Sequence, residues 1–325
     1  MVDLLTDADV REIVATWDPR LRVERITAPP RGYVNEVRVV HTAGPTLVVK
    51  ALGDTWKGPK EAALHAHFRA IGVPAPQVLV ERPGGHGVPY PWLVTEFAPG
   101  TPWSQLETGL GLDVVTGLYR QLGDLQGRIH TTVLGGFGDP MAGEDGLVAG
   151  PVPEMGGVGP FATWVELHDV FVAHRLDSLR QGPLADLAPG LERYLGEHRH
   201  LIAGEVTPRL LHLDLHRGNI MVANGRITAL LDGEESISGD SAYDLMRTEL
   251  AHFQEAPSAW REAFREGYRE HLPVGDVDPE RDRFYEVSRS LVWIKSLAAP
   301  GRAGQDRALA EGQVRRSVGA LLAGG

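Results

Sequence analysis

The chain has 325 residues, a formal charge of −11, 42% hydrophobic and 23% charged residues, and no cysteine. That balance fits a folded globular protein with one large core or two modest ones. The missing thiols exclude disulfides and thiolate metal sites, and the negative charge disfavours nonspecific nucleic-acid binding while permitting a pocket that attracts cations.

The start, MVDLLTDADV, lacks a basic stretch followed by an apolar run, and no segment approaches the roughly eighteen consecutive apolar residues of a membrane span. A cytoplasmic protein without signal peptide or membrane anchor is expected. Thr6 and Asp9 have the spacing of a capping box, and Val10, Ile13, Val14 and Trp17 then share one helical face. From Leu21 to Lys50 the pattern turns to short β runs, among them residues 36–40 and 46–50 with a turn at 41–45. Lys50 is one of four lysines in a chain that otherwise uses arginine, and it ends an apolar strand. Glu61 follows Pro59 in the first turn of a helix, GPKEAALHAHFRA. Residues 92–96 read as a strand, and a boundary near Gly100 separates strand-rich from helix-rich sequence, so the expected domains are 1–99 and 100–325. Val115, Leu118, Leu122, Leu125 and Ile129 mark a core helix. Residues 135–160 are rich in glycine and proline with little periodicity, and a mobile lid near the substrate is expected there. Helices follow around 164–179, 191–202 and from Asp240 onward.

The segment from Leu211 to Tyr243 reads LHLDLHRGNIMVANGRITALLDGEESISGDSAY. Asp214, Asn219 and Asp232 are spaced as in the catalytic loop and metal-binding Asp of eukaryotic-type kinases. Leu213 and Leu215 anchor the loop around Asp214, and Asn224-Gly225 supplies the positive φ angles of a two-residue hairpin that folds Asp232 back toward Asn219. Phosphoryl transfer calls for such a layout, because the protein must align a hydroxyl and neutralise phosphate charge. Asp214 suits the role of proton acceptor, and Asn219 and Asp232 offer hard oxygen ligands for Mg²⁺.

His212, Asp214, His216 and Asn219 resemble the H-x-D-x-H-x-x-N loop of the aminoglycoside phosphotransferase family, small-molecule kinases with a protein-kinase-like fold. Gly239-Asp240 with Asp244-Leu245 resembles that family's G-D-P-x-x-D-L element, with Ser241 in place of Pro; residues 72–76, Gly-Val-Pro-Ala-Pro, and His130 at a helix end fit as well. Asp232-Gly233-Glu234 departs from the family by lacking an aromatic residue. The resemblance implies an α+β, bilobal fold with an N-terminal antiparallel sheet plus one key helix, and a mainly helical C-terminal lobe. It implies ATP (or GTP) and Mg²⁺ as cofactors, with Lys50 on the phosphates and Glu61 orienting it. Gly32 and Asn35 fall in the nucleotide-covering loop, Glu96, Phe97 and Ala98 in the hinge, and His216 near the γ-phosphate. The implied acceptor is the hydroxyl of a small molecule, foremost a cationic antibiotic such as an aminoglycoside drawn by acids such as Glu166, Asp169, Glu234 and Glu235. A neutral sugar, nucleoside or amino alcohol is the alternative, and no protein partner is implied. The missing A-P-E segment argues against a protein kinase, while Asp-Gly-Glu keeps open a nucleotide-binding module without catalysis.

Other signals fail. No G-x-x-x-x-G-K-[ST] occurs, and the pairs His65/His67 and His198/His200 have i,i+2 spacing, which points helical side chains apart. Gly157-Val-Gly159 follows no expected strand and is not a dinucleotide fingerprint.

Overall fold

The computed structural model describes residues 5–28, 36–85, 87–106, 109–275, 278–298 and 305–323. Helix α1 (Asp7–Trp17) opens on the expected capping box, Thr6 and Asp9 each binding the other's main-chain N–H. Its Val10, Ile13 and Val14 pack on a five-stranded antiparallel sheet built from β1 (Val23–Thr27), β2 (Glu36–Thr42), β3 (Thr46–Ala51), β4 (Val78–Arg82) and β5 (Trp92–Glu96), in the order β1-β2-β3-β5-β4. Strand β3 lies inside the sheet, with Lys50 opposite Val37 on β2 and Leu93 on β5. Leu47, Val49 and Ala51 enter the core shared with α1, so the two-residue period of the strand turns Lys50 to the other face. Helix α2 (Lys57–Ala70) carries Glu61.

The remaining chain is mainly helical, with short strands β6 (Thr101–Pro102), β7 (Asp139–Gly143), β8 (Gly146–Gly150), β9 (Arg209–Leu211), β10 (Ile220–Ala223), β11 (Arg226–Leu230) and β12 (Ile237–Gly239). Its helices are α3 (Leu112–Thr131), α4 (Trp164–Arg180), α5 (Ala188–Glu197), α6 (Ser241–His252), α7 (Ser258–Arg269), α8 (Pro279–Ala298) and α9 (Gln305–Ala323). One core joins α4, α5, α8 and α9; a second joins α3 to α2, α7 and the strands beside loop 212–219. Among the described residues no helix is long and apolar enough to cross a membrane.

Residues 135–160, expected as a mobile lid with little regular structure, contain a paired hairpin tied to α2. Strands β7 and β8 pair from Asp139/Gly150 to Gly143/Gly146, Gly138 bridges to Ser238, and buried Asp139 is ion-paired with Lys60 of α2 at 3.0 Å. The glycines permit close strand approach: a Cβ on Gly138 would lie 2.1 Å from the Gly150 carbonyl oxygen. Such strands lack the apolar alternation by which strands are read.

Helices α3 and α7 meet at backbone contact through Gly123 and Gly267, where a Cβ would lie 1.9 Å from the Phe264 carbonyl and 2.0 Å from the Arg120 carbonyl. A main-chain obstacle cannot rotate away, so Gly123→Ala should destabilise the fold by about 3 kcal/mol or more. A urea midpoint equal to wild type would show that the helix pair yields.

Candidate active site

Two strand pairings build the site. Strand β12 pairs with β9 and β11 with β10, which sets loop 212–219 beside loop 231–236. Asn224 and Gly225 adopt φ of 50° and 72°, the left-handed angles expected of the two-residue turn between β10 and β11. The amide of Leu231 donates to the carbonyl of Asn219 at 2.9 Å, so the two loops are stitched together next to Asp232.

Leu213 and Leu215 are buried in different cores, Leu213 with α4 and α8 and Leu215 with α3 and α7, which leaves Asp214 at the seam with its side chain 29% exposed. Leu213 has φ of 64°, a strained conformation for a branched residue. Asp244 at the start of α6 holds it there: its carboxylate accepts from the amides of His212 and Leu213, both at 3.0 Å, and lies 3.0 Å from His130 Nε2. Burial opposes ionisation of Asp244, yet the hydrogen bond and charge of His130, with His212, bring its pKa down to about 2. A carboxyl depressed in the folded state contributes stability above its unfolded pKa of about 4 and loses it as pH falls through about 2. Asp244→Asn should therefore flatten the acid limb of the stability curve in that window. An unchanged slope would remove the carboxylate from this role.

The Asn219 amide nitrogen donates to the Asp214 carbonyl at 3.0 Å and to its Oδ2 at 2.7 Å. His216 Nε2 is 3.6 Å from the same oxygen, with the ring half exposed. His212 faces inward: its ring stacks on Phe68 of α2 with centroids 5.9 Å apart, its Nδ1 accepts the Asp214 amide at 3.3 Å, and burial lowers its pKa toward the neutral form. It joins helix α2 to loop 212–219.

Across the cleft, Lys50 Nζ is 3.0 Å from each Glu61 carboxylate oxygen and 2.9 Å from Asp232 Oδ1. Burial pulls the ammonium's pKa down, but Glu61 and Asp232 outweigh it and hold Lys50 above the ordinary lysine value. Lys50 in turn lowers the pKa of Asp232. Two further pairs, Lys57–Glu234 at 3.2 Å and Lys60–Asp139, tie α2 to its surroundings, so three of the four lysines serve this helix. Gly233 is buried against Leu64 and Phe68 of α2, which occupy the space beside it where the family's aromatic residue is missing.

The donor set fits a hard divalent cation. Asn219 commits its nitrogen to Asp214 and keeps Oδ1; Asp232 gives Oδ1 to Lys50 and keeps Oδ2, on a side chain 38% exposed. At the end of β5, the Phe97 amide donates to the Thr46 carbonyl at 3.3 Å, while the Glu96 side chain turns outward to Arg69. Ala98 joins Met221, Ala229 and Leu231 in a small apolar cluster that adjoins Asn219 and Asp232 in sequence. Gly32 and Asn35 lie outside the described residues.

Of the carboxylates expected to attract a cation, Glu166 and Asp169 are engaged away from Asp214, Glu234 lies close enough to Lys50 to raise its pKa, and Glu235 stays exposed. Glu166 caps α4, Asp169 binds Arg199 on the surface, Glu234 pairs with Lys57, and exposed Glu235 acts on Asp139. What approaches Asp214 is Arg247 of α6, whose Nη2 is 3.9 Å from Oδ1, with Arg289 of α8 near enough for the two guanidiniums to feel each other. Sequence reading missed both, since neither falls in a recognised motif; the three-residue step from Asp244 to Arg247 on one helical face is the signal that was there. His65 and His67 share no centre, His65 Nδ1 contacting the Pro76 carbonyl and His67 Nε2 contacting Thr132 Oγ1, whereas the His198 and His200 rings stack 6.4 Å apart just past α5, each Nδ1 on a main-chain carbonyl. A cavity of about 600 Å³ between α6, α7 and α8, lined by Arg209, Glu249 and Arg261, contains none of Lys50, Asp214 or Asp232 and is a separate feature.

The model of the phosphotransferase enzyme family matches residues 25–285. Among solved structures, a thermostable mutant of aminoglycoside phosphotransferase APH(4)-Ia in ternary complex with AMP-PNP and hygromycin B is similar at 18% identity and a TM-score of 0.67, covering 96% of this chain and 97% of that chain. The GDP and kanamycin complex of APH(2″)-IIia is similar at 14% identity and a TM-score of 0.66, covering 96% and 98%. The apoenzyme of macrolide 2′-phosphotransferase MphH from Brachybacterium faecium is similar at 20% identity and a TM-score of 0.56, covering 97% and 98%. At these identities the structures speak for a shared fold: an N-terminal antiparallel sheet with a helical C-terminal part. The family match, which spans most of the chain, goes further: this protein belongs to the phosphotransferase enzyme family and is a small-molecule kinase.

Proposed function

We propose that the protein transfers the γ-phosphoryl group of ATP or GTP to a hydroxyl of a small molecule, with Mg²⁺ held by Asn219 and Asp232. The observation that carries this reading is the convergence of Lys50, Glu61, Asp214, Asn219 and Asp232 from three distant segments into one cleft. Residues 1–99 then form the nucleotide-binding part and 100–325 carry the acceptor site. Lys50, oriented by Glu61, offers its ammonium to phosphate oxygens. Main chain from Glu96 to Ala98 faces the base, over the apolar floor of Met221 and Leu231. Asp214 takes the proton from the acceptor hydroxyl as its oxygen forms the new P–O bond; the bond to the β-phosphate oxygen breaks and the nucleoside diphosphate leaves with that electron pair. The bound cation supplies neutralisation of phosphate charge. His216, half exposed and 3.6 Å from Asp214 Oδ2, is the residue we assign to the γ-phosphate, as the resemblance implies.

For the acceptor, the hygromycin B and kanamycin held by structural neighbours favour an aminoglycoside or related antibiotic, with resistance or self-protection in the cytoplasm as the biological role. The alternative is a sugar, nucleoside or amino-alcohol metabolite, and of these Arg247 beside Asp214 favours the uncharged sugar or nucleoside. Nucleoside diphosphate release would be measured with ATP and with GTP, with Mg²⁺ and with EDTA, over kanamycin, hygromycin B, neutral sugars, amino alcohols, sugar acids and sugar phosphates. Acceptor-dependent release that EDTA abolishes is expected. Release that no acceptor stimulates, or that persists without metal, would refute the reading. A cationic acceptor would also show a KM that rises with salt, as the Debye length shrinks from about 10 Å at 0.1 M to about 3 Å at 1 M.

A further inference from the structure

We infer that the acceptor carries an anionic group, a carboxylate or a phosphate, and that Arg247, seconded by Arg289, receives it beside Asp214. The inference rests on the kinase reading above and names the substrate class of that site. Helix α6 is locked in register by Asp244, which holds the catalytic loop through two amides. One turn on, Arg247 is carried into the cleft, where it is only 9% exposed. A buried guanidinium is costly without partners, and it binds acids best through two parallel hydrogen bonds. Arg247 lacks that arrangement: its Nη2 stands 3.9 Å from Asp214 Oδ1, beyond hydrogen-bond reach, while Asp214 Oδ2 is taken by Asn219. Its buried Nε has no hydrogen-bond partner among the described residues.

Arg289 makes the cationic character local. Burial, and then the charge of Arg247, bring its pKa down to about 10, against the opposing pull of Tyr243, Asp214 and Glu286. Glu286 lies near both Arg289 and Arg283 and is a neighbour on α8 rather than a partner of Arg247. Arg247 is therefore the guanidinium that stands next to the base that must receive the acceptor hydroxyl, with the charge of Arg289 close enough to be felt. An amine-bearing ligand would be repelled there, and an acid would gain a fork of donors within reach of Asp214.

The test uses the full-length protein saturated with a non-hydrolysable ATP analogue and Mg²⁺, titrated calorimetrically with D-gluconate against D-gluconamide and with D-glucose 6-phosphate against D-glucose, plus kanamycin. The same compounds are then assayed for turnover with ATP. At least one acid should bind and be phosphorylated in preference to its neutral counterpart, and which pair responds tells carboxylate from phosphate. Arg247→Gln should weaken that acid by about 10–100-fold, in KM more than in kcat, while the neutral member and the nucleotide keep their affinities. Arg247→Lys, which keeps charge without the fork, should fall between. The proposal is overturned if neither acid binds better than its neutral partner, if Arg247→Gln weakens both members alike, or if kanamycin is accepted equally by both proteins. It is also overturned if Arg247→Gln lowers kcat at constant KM, which would put the arginine on the transferred phosphoryl group. Failure of the wild type to bind the nucleotide analogue would instead sink the kinase reading.

Discussion

Asp214→Asn should lower kcat by about 10²–10⁴-fold, the usual contribution of a positioned acid–base group, with nucleotide affinity close to wild type. The substitution is nearly isosteric. An amide oxygen can still accept from Asn219 at the place where Oδ2 now sits 2.7 Å away, and the main-chain bonds that shape the loop are untouched. What disappears is the charge that draws the hydroxyl proton, together with the partner of Arg247. The change therefore separates chemistry from folding. Steady-state diphosphate release and nucleotide titration on the same preparation would measure it, and turnover within a few-fold of wild type would exclude Asp214 as the base.

Asp232→Ala should abolish Mg²⁺-dependent nucleotide binding, because it removes a proposed cation ligand and one of the two counter-ions of Lys50 in one step. The loss should be largest with metal present and small with EDTA. Lys50→Met is expected to harm the protein differently. Glu61 is buried and accepts from Lys50 through both oxygens, so the variant leaves a carboxylate without its cation, at a cost of about 3–5 kcal/mol. The double variant Lys50→Met/Glu61→Gln should recover much of the stability and none of the nucleotide affinity. Equal chemical denaturation midpoints for the single variant and wild type would mean the pair is not coupled as the geometry indicates.

The stretch most legible in the sequence was 211–243. Its turn requires positive φ at Asn224 and Gly225, and the fold brings Asp214, Asn219 and the neighbourhood of Asp232 together as their spacing led one to expect. Lys50 and Glu61 were legible for a related reason, since a lone lysine at the end of an apolar strand is unusual in a chain rich in arginine, and the two meet at 3.0 Å. Capping of α1 was equally plain, because Thr6 and Asp9 act within one turn. The β7–β8 hairpin was not legible, as its glycines serve close backbone approach and leave no alternating pattern. Arg247 was hidden for the opposite reason: arginines are abundant here, and only docking of α6 through Asp244 decides which one reaches Asp214. The acids Glu166 and Asp169 misled because a helix cap and a surface ion pair look like cleft carboxylates in one dimension. The hinge left little trace since its expected role is main-chain.

Product identity tests the central claim most directly. Following ATP, Mg²⁺, enzyme and pooled hydroxylated acceptors by ³¹P NMR should show one phosphomonoester resonance growing in step with the loss of the γ-phosphate and the appearance of ADP, and absent with Asp214→Asn. Appearance of ADP with inorganic phosphate alone, or of the same phosphomonoester at an equal rate with Asp214→Asn, would contradict the account.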